Sequence, residues 1–324
     1  MRLLAYNAKP AAKFQGQDDY YLGVELELFA PDMTKRNEGL AKQKRPGCMY
    51  AKHDGSIPYT GWELVTHPIA RKLWLEATPP AARTTESTIT RTYMGMTYTA
   101  KQVAAGWQIN GGATYPTMRA ASHACTNGKR GVLFTPSAGG EGGNGNAARK
   151  FLRLVADLKA MGYESHNGGQ CGLHIHVSKT AFSGMTENNL RCTHYFWFKK
   201  IINSPLFAKL SQRDDFGFCH QTPVTIQDFA DNHWGRYQAV NPTRHTIEVR
   251  IFRGNMIEAR IRKAVEAVIA AVEWAEDRSM RQLTDAQDVG DAYATWVRAN
   301  RATYPNLANY LDRIDAPTAN ETEA

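Results

Sequence analysis

Three widely separated segments of this chain repeat one alternation. In "YLGVELELF", Leu22, Val24, Leu26 and Leu28 fall on one side of an extended backbone, and Gly23, Glu25, Glu27 and Phe29 fall on the other. In "GLHIHV", Leu173, Ile175 and Val177 share one side and His174 and His176 the other. In "TIEVRIF", Ile247, Val249 and Ile251 lie opposite Glu248 and Arg250. A period of two predicts strands. Each would carry an apolar face for packing and, on its reverse, a pair of ionisable groups about 7 Å apart along the strand.

Other segments fill in the frame. "WELVT" reads as a further short strand ended by Pro68, after an Asp54-Gly55 turn. "AARKFLRLVADLKAMGY" carries Phe151, Leu154, Val155, Leu158 and Met161 at helical spacing, with Gly162 as its stop. "TENNLRCTHYFWFKKIINSPLFAKLSQR" reads as a helix capped by Thr186 and broken at Pro205. "MIEARIRKAVEAVIAAVEWAEDR" reads as a long amphipathic helix with Ile257, Ile261, Val265, Val268, Val272 and Ala275 on one face, and shorter helices are expected near 291–300 and 306–313. Residues 77–146 lack long periodic runs and end in "SAGGEGGNGN", which predicts an insertion closing in a Gly-rich loop. One domain over 14–315 with that insertion, and a frayed tail at 316–324, is the expected organisation.

The paired ionisable groups admit two readings singly: a solvated sheet face, or a site. Together they favour a site. Glu25 and Glu27 at this spacing repel, and their carboxyl pKa values rise unless a cation lies between them. Hard divalent cations such as Mg²⁺ take oxygen ligands, keep positions for water and bridge nucleotide phosphates. Arginine offers a permanent planar cation for a phosphoryl group, a role open to Arg250. Asp54 and Glu63 are further candidate metal ligands, and Arg236 and Arg244 further candidate phosphate contacts, although turn and surface roles suit these four equally.

The ordered set "GVELE", "DGS…GWELVTHP", "CGLHIHV", "RYQAVN" and "HTIEVRIFRGN", spanning about residues 21–275 without the insertion, resembles the amidoligase family, relatives of gamma-glutamylcysteine synthetase and glutamine synthetase. That resemblance implies an α+β fold with a glutamine-synthetase-like antiparallel sheet funnel backed by helices, holding ATP and two or three Mg²⁺ ions. It implies an ATP-dependent carboxylate-amine ligase that passes through an acyl phosphate and joins a carboxylate to an amine substrate, small molecule or peptide. By the same resemblance Glu25 and Glu27 bind different metals, Asp54 and Glu63 join Glu27, and His174 and Glu248 join Glu25. Arg250 contacts the phosphoryl group, His176 lines the substrate side, and Arg236 holds ATP phosphates. Family members are common in phage and bacterial genomes, which implies action in a cytoplasm, the host's for a phage enzyme. The 77–146 insertion is longer than the family pattern leads one to expect.

Composition bounds the alternatives. Hydrophobic residues at 43% and charged residues at 22% describe a folded globular chain, and the longest apolar helical segment is interrupted by Glu266 and Glu273, against a membrane span. Five scattered cysteines without a Cys-x-x-Cys pair fit a reducing compartment. The net charge of +8 favours anionic partners, with a basic loop holding Lys35, Arg36, Lys42, Lys44, Arg45 and Lys52. Two rival readings follow: a single-metal zinc or iron enzyme built on His174 and His176, and a nucleic-acid-binding protein stacking bases on Trp62, Tyr50 and Tyr59. The second leaves the inward carboxylates without a purpose, so nucleic acid is not required as a partner.

Overall fold

In a computed structural model of the chain, the described residues are 10–43, 47–53, 57, 60–77, 88–93, 96–103, 106–109, 114–115, 146–166, 171–186, 190–213, 217, 219–225, 237–283 and 289–315, with only the backbone described between 88 and 115. Among the described residues the fold is α+β with eight helices, α2 being Arg71–Ala77 and the others given below. Two compact units divide it: residues 1–78 with 147–324, and residues 79–146.

The larger unit is built on an antiparallel open sheet. Its strands are β1 (Tyr21–Phe29), β2 (Met49–Lys52), β3 (Gly61–Thr66), β4 (Ile69–Ala70), β9 (Gly172–Ser178), β10 (Val240–Pro242) and β11 (Thr246–Arg253). They lie in the order β10-β11-β9-β1-β3-β2, with β4 beside β1. The three alternating segments are therefore neighbours, β11 on β9 and β9 on β1. Leu22, Val24, Leu26, Leu28, Leu173, Ile175, Val177, Ile247 and Val249 are buried in one core. Helices α3 (Ala147–Ala160) and α6 (Glu258–Glu276) share that core through Phe151, Leu154, Val155, Val265, Val268 and Val272. Burying each such aliphatic side chain contributes about 1.5–3 kcal/mol, which commits this face to the interior and the ionisable face to the opposite side.

Several expectations need correction. Met33–Gln43 of the expected basic loop is helix α1, begun where the Asp32 carboxylate accepts the Lys35 amide at 2.8 Å, and Met49–Lys52 is strand β2. Helix α4 (Thr193–Ile202) starts well after Thr186: Cys192 is its extended cap and takes the Tyr195 amide on its sulfur. The break at Pro205 is as expected, since α5 (Pro205–Ser211) places that proline in its first turn. Helix α6 is not one-sided: residues Ile261 to Ala275 are buried around nearly the whole circumference, Glu273 excepted, while Ile257 is its exposed cap. Helices α4, α7 (Val289–Ala299) and α8 (Pro305–Asp315) pack on α6 and enclose it. The smaller unit contains a four-stranded antiparallel sheet, β5 (Thr88–Tyr93), β6 (Met96–Val103), β7 (Gly106–Ile109) and β8 (Thr114–Tyr115), in chain order. The Gly-rich stretch, the Asp54-Gly55 turn and the 316–324 tail lie outside the described residues.

Two details set the register of the polar face. Between β11 and β9 the pairing runs Val249↔Ile175 and then Phe252↔Leu173, so Arg250 and Ile251 lie opposite His174 as a β-bulge. The bulge lets Ile251 and Phe252 both bury while Arg250 stays on the polar side. Just beyond β11, Gly254 donates its amide to the Cys171 carbonyl at 3.1 Å, closing β11 against the start of β9. A Cβ at Gly254 would lie 2.2 Å from Ser165 Oγ and 2.8 Å from the Cys171 carbonyl oxygen. Gly254→Ala is expected to destabilise the protein by about 1–3 kcal/mol through this overlap, read as a lower urea midpoint. An unchanged midpoint would show that the junction is not tightly packed.

Candidate metal centre on the polar sheet face

Pairing of the strands carries their ionisable residues onto one face. Glu25 stands opposite His174 and Val65, Glu27 opposite Glu63, and Glu248 opposite His176. Lys52 of β2 stands opposite Glu63, and Asn241 of β10 opposite Glu248. Glu25, Glu27, Glu63, His174 and Glu248 are all buried, with exposures of 9% or less.

Carboxylates so far from water require compensation, and the face supplies it unevenly. Glu63 pairs with Lys52 at 2.6 Å, and the same ammonium is 3.7 Å from Glu25. Glu27 accepts the Gly172 amide at 2.6 Å. Glu248 accepts from Arg250 at 2.8 Å and from Asn241 at 2.8 Å. His174 lies between two carboxylates, Nδ1 3.5 Å from Glu248 and Nε2 3.8 Å from Glu27. Burial pushes the pKa of His174 down to about 4, outweighing the pull of Glu248, so the ring is neutral at pH 7.

The densest convergence is Glu25, His176 and Glu248. One donor atom from each lies within 4.8 Å of the others. His176 Nε2 is 3.4 Å from Glu25 and 3.9 Å from Glu248, while its Nδ1 is 3.2 Å from the Thr246 hydroxyl. In the tautomer that donates from Nδ1 to Thr246, the Nε2 lone pair faces the same point as two carboxylates. Three lone-pair donors then share one focus, which is the geometry a divalent ion relieves. Burial works to raise the Glu25 carboxyl pKa, but a proton on His176 Nε2, where the ion would otherwise lie, outweighs it together with Lys52 and holds Glu25 below the usual carboxylate range. Glu248 is likewise held low against its burial by the same His176 proton, by Arg250 and by the Asn241 hydrogen bond. Both stay ionised, as ligands must.

A cavity of about 770 Å³ adjoins the triad, with Glu25 and His176 in its wall beside Gly23, Tyr21, Ser178 and Thr246. Gly23 faces His176 across the β1–β9 pairing, and a Cβ there would meet only ordinary contacts, His176 Cβ at 3.7 Å being the nearest. The missing side chain keeps the cavity open at the metal-competent end. Arg250, Glu27 and Glu63 lie on the polar face but do not line this cavity.

Of the sequence candidates, Glu25, Glu27, Glu63, His174, His176, Glu248 and Arg250 are thus gathered on one face. The resemblance assigns His174 to the metal and His176 to the substrate side; the geometry puts His176 both in the triad and in the cavity wall. Arg244 is exposed in the turn between β10 and β11, and Asp54 and Arg236 lie outside the described residues. Arg213 lies beside Gly172 and His174 and donates to Cys219 Sγ at 3.0 Å. Lys52 and Thr246 are participants that sequence reasoning missed. Both owe their place to strand pairing and turn geometry: Lys52 read as part of a basic loop, and Thr246 as the first residue of a strand. Tyr50 and Trp62 are buried, so neither can stack on a base, and Tyr59 lies outside the described residues. The four described cysteines, Cys48, Cys171, Cys192 and Cys219, are buried, and no described helix is long and apolar enough to cross a membrane.

No protein-family model matches the chain, and no curated protein matches it.

Mg²⁺ or Mn²⁺ is expected to raise the melting temperature, an ion at ten times its Kd adding about 1.4 kcal/mol of stability. Glu25→Gln and Glu248→Gln should lose the increment. Identical melting of wild type with and without Mg²⁺, Mn²⁺ or Zn²⁺ would remove the triad as a metal centre.

Proposed function

We propose that this protein is an ATP- and Mg²⁺-dependent carboxylate-amine ligase with a glutamine-synthetase-like sheet. ATP phosphorylates a substrate carboxylate to an acyl phosphate with release of ADP; the amine then attacks the acyl carbon and phosphate leaves, forming an amide. The observation that carries the reading is the convergence of Glu25, His176 and Glu248 within 4.8 Å, with Glu25 and His176 in the wall of a 770 Å³ cavity, on strands that also present Glu27, Glu63, His174 and Arg250. The cavity is of the size that small-molecule sites occupy.

The donor set fits a divalent cation: two buried ionised carboxylates and an imidazole at the triad, with Glu27 and Glu63 available nearby. Bound Mg²⁺ would supply charge neutralisation for phosphate oxygens. The chain's own residues do the remaining work. Glu25 and Glu248 hold ions in place, and Asn241 and Arg250 orient Glu248 by hydrogen bonds at 2.8 Å each. Thr246 holds the His176 ring by its hydroxyl, 3.2 Å from Nδ1. Arg250 contacts the transferring phosphoryl group, where a preorganised cation stabilises accumulating charge without reorganisation. Gly23 leaves room for the substrate beside His176, and positioning of the two substrates supplies much of the rate.

One specific feature favours a second reading. The imidazole in the triad suits zinc or iron as well as magnesium, which is the donor set of a single-metal hydrolytic or oxygen-using enzyme. Metal content separates the two: tightly held zinc or iron in the purified protein supports the rival, and weak Mg²⁺ binding strengthened by ATP supports the ligase.

ATP-dependent phosphate release, screened against pools of acids and amines, is the direct assay. Glu25→Ala and Glu248→Ala should abolish amide formation coupled to ADP release while the circular dichroism of the fold persists, and Arg250→Ala should lower turnover by about 100-fold or more. Full activity in both glutamate variants would reject the assignment. Gly23→Val is expected to raise KM for the acid or amine while leaving Mg²⁺ binding in place. Unaltered KM would mean that the cavity does not receive a substrate.

A further inference from the structure

A second cavity, of about 720 Å³, lies on the helical side between the start of α6 and α8, lined in part by Lys263, Arg260, Arg313, Tyr310, Ile257 and Asp312. Its charges are unbalanced. Lys263 is 3% exposed, yet no described carboxylate lies within ion-pair distance of it. Its ammonium donates to the Leu210 carbonyl and lies 3.4 Å from Gln212 Oε1. The same ammonium sits 4.3 Å from the centroid of the Tyr310 ring, and Arg313 approaches that ring to 5.4 Å. Two cations therefore share one aromatic ring. Arg260, exposed at the first turn of α6, adds a third and makes no side-chain hydrogen bond or ion pair among the described residues.

Asp312 is the acidic residue among those lining the cavity, and it is already engaged: Arg298 and Arg301 both pair with it. Burial pushes the pKa of Lys263 down to about 7, and Arg260 and Arg313 push in the same direction. That is the cost of gathering like charges away from water, and a multiply charged anion offsets it. Ile257, 40% exposed, and Ala259 give the same cavity an apolar rim. A bare phosphate would leave most of the volume empty, whereas a phosphorylated small molecule uses both the cations and the rim.

We propose that this cavity is a binding site for a phosphorylated small molecule, with its phosphate held by Lys263, Arg260 and Arg313 and its organic part set against Ile257 and Ala259. The site is separate from the sheet-face metal centre and does not depend on the ligase reading.

Inorganic pyrophosphate is the probe, titrated calorimetrically in EDTA and about 150 mM salt so that the acidic sheet face has no metal through which to hold it and long-range attraction is screened. Wild type should bind saturably at one site. Arg260→Ser with Arg313→Ser, two exposed changes, should weaken binding at least about 10-fold, a loss of about 1.4 kcal/mol. Lys263→Met should do the same, and Arg153→Ser, an exposed arginine on α3, should leave it unaltered. No saturable binding would overturn the proposal. Equal binding by wild type and the Arg260/Arg313 variant would overturn it too, by assigning the attraction to the net charge of the chain.

Discussion

Everything at the candidate centre follows from burying carboxylates on the polar face of a sheet whose other face is the core. Glu25, Glu27, Glu63 and Glu248 are each nearly removed from water, and an isolated ionised carboxylate in such surroundings would take up a proton rather than remain charged. Lys52, Arg250, the Gly172 amide and two imidazoles prevent that. The compensation is sufficient to hold Glu25 and Glu248 below the usual carboxylate range, and it is concentrated in side chains that a bound cation would replace or join. A face arranged only for stability would have done better with apolar residues.

The strand order makes the arrangement possible. Segments around residues 25, 63, 174 and 248 come together only because β1 is flanked by β3 and β9, and β9 by β11. Register then decides which donors meet. A slip of one residue would send Glu25 and Glu27 into the core, so the nine aliphatic side chains named above hold the polar groups in place as surely as any hydrogen bond. The bulge at Arg250 and the close approach at Gly254 refine this by letting β11 bury Ile251 and Phe252 without turning Arg250 inward.

This also explains what was legible in the sequence. β1, β9 and β11 were readable because a half-buried strand must alternate, and helices α3, α7 and α8 because their apolar stripes match the helical period. Seven of the ten residues picked out from those patterns and from the resemblance share the polar face. The strands of the smaller unit were missed because "TITRTY" lacks apolar alternation and that of "MTYTAKQV" is short, Met96, Tyr98 and Ala100 giving way to Gln102, so periodicity is weak where propensity is not. The stripe assigned to α6 was incomplete because the helix is enclosed by α4, α7 and α8, and small alanines pack on the sides where no large apolar residue marked a face. His174 and His176 could not be ranked from the sequence. Both point the same way, and only the neighbouring strands decide that His176 reaches Glu25 diagonally while His174 is confined between Glu27 and Glu248.

The same electrostatics constrain how any phosphate could approach the sheet face. An unaccompanied polyanion meets carboxylates at Glu25, Glu27, Glu63 and Glu248, and the arginine and lysine nearby are already committed to two of them. Those carboxylates therefore repel the anion until divalent ions lie between. In the proposed ligase reaction the nucleotide must then enter as its magnesium complex, or after the metal. Arg250 gains freedom to contact phosphate when a cation takes over its neutralising role at Glu248. In that proposed reaction the Arg250–Glu248 ion pair would hold the position that phosphate later claims: Arg250 is kept beside Glu248 by the charge that a metal would share.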